Sequence, residues 1–277
     1  MDTDTRSILF NVIGGIIVSV LTAIYFRVRY RLRSYHLQRL LGFQFKPTTE
    51  IRMAYGQLLM PPLKDQSGWQ ITHPYIKPPR RGGTTLAESY SIEHPISECE
   101  VRSSTYISAL LGGAGNLKPM LIADTEASSL LDSNFISFGG PGSNYKTADA
   151  LTSKANIFIK MSPNGFSLRS GEELPFTCSA DADHGFILRI TPPEFPARSW
   201  IACAGLGEWG TSGSSWFLAN KWGELIEKIH PFAYRSGIMS IPDFMAIIRV
   251  QPGQDQSASI VALYRNDKGQ LKTVKQA

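Results

Sequence analysis

The stretch "ILFNVIGGIIVSVLTAIYF", residues 8 to 26, runs 19 residues without a charge. As a helix rising about 1.5 Å per residue it reaches about 28 Å, close to the hydrocarbon thickness of a bilayer. No other feature constrains the chain as much, because a run this apolar must lie in lipid or deep in a core. Its leader "MDTDTRS" holds two acids and one arginine, and arginines follow the run directly. A cleaved signal peptide has the opposite layout, with a basic start and a small-residue cleavage site. Residues 8–26 therefore read as a retained transmembrane helix that crosses once.

Residues 27–39, "RVRYRLRSYHLQR", contain five arginines and no acid, which equals the net charge of +5 for the whole chain. The remainder is balanced, so the basic character is local and does not point to nucleic acid. The positive-inside rule places residues 1–7 outside and the C-terminal bulk in the cytoplasm, on the cell (inner) membrane. The arginines are suited to anionic lipid headgroups. Asn11, Gly15, Ser19 and Ala23 recur every four residues and form a stripe of small or amide side chains, the pattern of a self-associating helix. The basic helix is expected to continue to Gly42, a favoured C-terminal residue.

Residues 43–98 hold seven of the seventeen prolines and read as an extended connector with short strands. From residue 99 the pattern is regular. "ECEVRSSTYISALLGG" predicts a helix with Val101, Tyr106, Ala109 and Leu110 on its buried face. "KPMLIADTEA" predicts a buried strand ending at Asp124. "SNFISFGGPGSNYKTADALTSKA" predicts strand, turn and helix, capped by Ser143 or Asn144. "NIFIKMSPNGFSLRSG" reads as a hairpin turning at Asn164-Gly165. "HGFILRITPP" and "RSWIACAG" are strands, residues 212–230 one helix of about five turns, and "FMAIIRVQPGQDQSASIVALYRND" a closing hairpin. The order implies an α/β domain over 99–277: a Rossmann-like mixed sheet with antiparallel hairpin additions. The cysteines Cys99, Cys178 and Cys203 are widely spaced and read as reduced structural thiols, with no metal or cofactor implied.

Two glycine turns each follow a strand and open a helix: "GGPGSN" (Gly139, Gly140, Ser143, Asn144) and "GLGEWGTSGS" (Gly205, Gly207, Glu208, Trp209, Gly210, Thr211, Ser212). Exposed amides at a helix start favour an anion. The second turn matches G-x-G-x-x-G, yet it comes late in the chain, and the acids downstream of it, Glu224 and Glu227, fall within the expected helix, where a dinucleotide fold has its acid at the end of a second strand. The expected ligand is a small, anionic, nucleotide-derived molecule. Asp124 or Glu208 would hold a sugar hydroxyl and Trp209 would stack on a ring. The leading expectation is a membrane-anchored sensor or effector. The alternatives are a nucleotide hydrolase or glycosidase using Glu208 and Asp124, and a scaffold without a ligand.

Overall fold

The structure is a computed structural model that describes residues 3–46, 49–58, 63–64, 67, 70–71, 74–76, 89–91, 95–115, 117, 119–162, 165–229 and 241–276. Helix α1 (Thr3–Leu41) is continuous over 39 residues, long and apolar enough to cross a membrane. From Val12 to Leu32 its large apolar side chains are exposed, as a lipid-facing surface requires. Its last turns behave differently: Leu37, Leu40 and Leu41 are buried in the core of the domain. The helix stops where predicted, at Gly42, whose φ of 78° admits the left-handed cap and whose N–H donates to the Gln38 carbonyl at 2.8 Å. The end of α1 is thus docked into the domain and is no spacer.

Strand β1 (Ile51–Tyr55) follows, then two small antiparallel pairs, β2 (Leu63–Lys64) with β3 (Gln70–Ile71) and β4 (Pro74–Ile76) with β5 (Ser89–Ser91). Next come α2 (Glu98–Gly115), β6 (Met120–Ala123), α3 (Asp124–Ala127), β7 (Asn134–Phe138) and α4 (Tyr145–Thr152). The β8 (Ile159–Ser162) and β9 (Gly165–Leu168) hairpin precedes β10 (Asp183–Ile190) and β11 (Trp200–Gly205). After α5 (Glu208–Asn220) and α6 (Trp222–Ile229), the chain closes with β12 (Phe244–Gln251), β13 (Gln254–Asp267) and β14 (Gln270–Gln276).

Eight strands form one mixed sheet in the order β14-β13-β12-β10-β11-β7-β1-β6. β6, β1, β7 and β11 run parallel, and from β11 through β14 each pairing is antiparallel. Alternation along the strands builds two cores. Ile136, Phe138, Ile201 and Cys203 face the end of α1 with α2, α5 and α6, whereas Phe135, Ala202 and Ala204 face α4 and the β8–β9 hairpin. The domain is a mixed α/β fold with helices on both faces of its sheet.

Several expectations need correction. β1 lies inside the stretch read as connector yet is an interior strand of the sheet, so the domain begins by residue 51. β6 is an edge strand, with Met120 and Leu121 exposed. On α2 the buried face is Ser103, Ser104, Ile107, Leu110, Leu111 and Ala114, while Val101 is exposed. The reason is its neighbour: α2 packs on α5, whose buried Gly210–Ser215 surface is small and polar, so serines make the close contact. The helix expected over 212–230 begins earlier, at Glu208, and breaks at Lys221 into α5 and α6. There the Lys221 ammonium leaves the helix line to donate to the Ala258 carbonyl at 2.9 Å. β14 extends the closing hairpin by a strand. Asn164 of the predicted turn lies outside the described residues.

Candidate functional site

In the parallel half, the chain passes from β1 to β6 on one side and then returns to β7 on the other. Such a reversal opens a crevice beyond the carboxyl ends of the strands. A cavity of about 580 Å³ lies there. Gly139, Gly140 and Ser143 from the first glycine turn line it, as do Gly205, Gly207, Glu208 and Thr211 from the second. The two turns, far apart in sequence, share one hollow. Leu58, Cys99, Glu100 and Met161 complete much of the wall.

The other predicted residues stand behind the wall. Asn144 is the N-cap of α4: its carbonyl oxygen accepts from the Lys146 and Thr147 amides, and its amide donates to the Ala54 and Phe138 carbonyls. Asp124 is buried and accepts from the Gln57 amide at 2.9 Å and the Tyr145 amide at 2.8 Å. It staples the β1 loop to the start of α4. The Trp209 ring is covered by the Arg102 guanidinium at 4.0 Å. Gly210 packs against β10, where a Cβ would come within 2.5 Å of the His184 carbonyl oxygen.

Both helix starts already hold an anion belonging to the chain. At α5 it is Asp183, which accepts from the Gly207 amide at 3.0 Å and the Gly210 amide at 2.7 Å. A Cβ on Gly207 would sit 2.6 Å from the same carboxylate. The G-x-G-x-x-G turn therefore packs its helix start closely on β10 and gives the amides that could hold an anion to an aspartate of the chain. At α4, Asp124 takes the first amide of the helix. The expectation of an anion at either seat meets carboxylates that are there first.

Sequence reasoning missed Glu100, which lines the cavity. It is 4% exposed. One oxygen accepts from the Gly56 amide at 2.7 Å, at the end of β1. The other lies against Gly139 at the end of β7, and among the described residues the Gly56 amide is the one hydrogen-bond donor to this carboxyl. Among the described residues no cation pairs with it. Burial pushes the carboxyl up to about 7; the Asp124 charge adds to this and the Gly56 amide opposes it. Ionising it inside the fold costs about 3 kcal/mol relative to an unperturbed glutamate. The neighbouring Cys99 thiol is pushed up chiefly by burial, which leaves it an inert wall group. His184 bonds the Thr177 carbonyl at 2.6 Å and lies on Phe176, a satisfied histidine. Nothing in the sequence flags Glu100, since an acid in a first helical turn is ordinary.

Behind the cavity, Asp255 of β13 clamps the two helices that flank it. It accepts from Tyr106 of α2 at 2.8 Å and from Ser212 of α5 at 2.6 Å, with the Arg102 guanidinium 3.6 Å away. α2 therefore runs from the cavity, at Glu100, to its contact with α1.

Compared with family models, curated proteins and solved structures, the chain matches none.

Proposed function

We propose that the domain is the cytosolic part of a single-pass membrane sensor, with a Rossmann-like parallel half that binds a nucleotide-derived ligand by its nucleoside end. One observation carries the reading. A buried glutamate, with no cation beside it among the described residues, is kept in a cavity at the strand-order reversal at a cost of about 3 kcal/mol. A group that weakens the fold and faces a cavity is the mark of a site held ready for a ligand. Carboxylates bind ribose hydroxyls in nucleotide folds, and Glu100 with Glu208 supplies two around one hollow. Glycine backbone offers flat walls for a base. Because Asp124, Asp183 and Asn144 occupy the helix starts, any phosphate on the ligand points outward. α2 links the cavity to the docked end of α1, so occupancy is read by the membrane helix. Self-association through Asn11, Gly15, Ser19 and Ala23 is the output this anchor suits, and the arginines after the span suit a cytoplasmic leaflet.

The test is calorimetry of the full chain in detergent against a panel of nucleosides and nucleotides. Binding that weakens when the ribose hydroxyls are removed supports the proposal; no heat from any member refutes it.

A second reading rests on the acid pair itself. Glu100 is protonated to a large extent at neutral pH, and the exposed Glu208 lines the same cavity. Environments that set two carboxyls apart are what a glycosidase uses for acid and base. Release of base from a bound nucleoside, abolished by Glu208→Gln with binding retained, would establish this reading over a pure sensor.

A further inference from the structure

A second cavity, of about 530 Å³, lies at the amino-terminal edge of the parallel strands, against the foot of α1. It differs from the first in charge. Arg39, Lys46 and Arg189 line it, and no carboxylate does. Among the described residues Arg39 and Lys46 form no ion pair. Arg189, 7% exposed, spends one guanidinium nitrogen on the Ile241 and Pro242 carbonyls at 2.8 and 3.1 Å, with Asp243 at 3.5 Å. Among the described residues its Nε is buried without a partner, as is the Ser199 hydroxyl. Both atoms crowd the same point beside Gly42, 2.9 and 2.8 Å from where a Cβ would stand. Asp243 offsets one of the three charges and the carboxyl end of α1 about half of another. A positive surplus remains in a concave site with a buried, under-used guanidinium.

We propose that this juxtamembrane cavity is a phosphate-binding site, in which Arg189 forms the floor and Arg39 and Lys46 close over the anion. The guanidinium presents donors in a fork that fits phosphate oxygens, and the two flexible cations supply charge. The position also gives a phosphate leverage. Gly42 and Phe43 line the cavity, and they join the docked end of the membrane helix to the chain leading into β1.

The phosphate has two possible sources, a soluble phosphate or a lipid headgroup, and one experiment with two arms separates them. The full chain in nonionic detergent is titrated with inorganic phosphate by calorimetry. The same preparation is mixed with short-chain phosphatidylglycerol, and retained lipid is counted by native mass spectrometry. Each arm is repeated on the Arg39→Gln/Lys46→Gln double variant, whose changes lie at the rim and spare the core. Saturable binding in the first arm, weakened about tenfold or more in the variant, identifies a soluble phosphate. Retention in the second arm alone, lost in the variant, identifies the headgroup. Arg189→Lys, if it folds, weakens binding further in whichever arm responds. Absence of binding in both arms, or equal binding by the double variant, overturns the proposal.

Discussion

The two ends of the central sheet are opposites. The carboxyl end of the parallel strands carries the glycine turns and helix starts that usually attract anions, yet Asp124 and Asp183 fill those seats and Glu100 and Glu208 line the cavity. The amino end, beside the foot of α1, has no glycine signature, yet it gathers Arg39, Lys46 and Arg189 around a hollow without an acid. Glycine turns report backbone geometry, and charge is decided by which side chains the fold delivers to them. A phosphate-binding turn and a self-capped turn share their local sequence and differ in a residue elsewhere, here one 24 positions upstream.

The largest effect that would break this contrast comes from Asp183→Ala. The half-buried Gly207 amide and the buried Gly210 amide would lose their acceptor, and the variant is expected to lose about 3 kcal/mol or more of stability in denaturant titration. Unchanged stability would mean that the seat at α5 is not structurally filled.

Glu100→Gln should act in the opposite direction. The folded carboxyl titrates near 7 and the unfolded one near 4.5, so the native state holds the extra proton between those values. Wild-type stability from this group is present below about pH 4.5 and falls as pH rises through 7. At pH 8 the glutamine variant, still accepting from Gly56, is expected to be more stable by up to about 3 kcal/mol. At pH 4 the difference should vanish. Equal thermal midpoints at both values would show that Glu100 is not held at a cost.

The smallest effect concerns the anchor. Ser19 returns its hydroxyl to the Gly15 carbonyl at 2.8 Å, so the stripe keeps small size more than free donors. Gly15→Ile should reduce oligomer size in detergent without moving the unfolding midpoint of the domain. An unchanged size removes the stripe from the account.

Much of the frame was legible in the sequence. The long apolar helix, its stop at Gly42, the Asn144 cap and both strand–turn–helix units followed from charge, length and local side-chain chemistry. β1 escaped because "IRMAY" is five residues among prolines, and only its neighbours make it a strand. The first buried turn of α2 escaped because Ser103 and Ser104 make its contact, while the apolar period of Ile107, Leu110, Leu111 and Ala114 begins only after them. The site was half visible. Local pattern exposed the two turns, whereas Glu100, Asp183 and Asp255 act across 44, 24 and 43 residues, and no local pattern encodes that.

If an ionisable Glu100 holds the ligand's hydroxyls in the carboxyl-end cavity, affinity must change between two pH values on either side of 7. Hydroxyls donate to the carboxylate form, so a nucleoside-type ligand found by calorimetry should bind up to about tenfold more tightly at pH 8 than at pH 6. Glu100→Gln should flatten that dependence. An affinity independent of pH in the wild-type chain, or a dependence that survives in the glutamine variant, would contradict that role of Glu100.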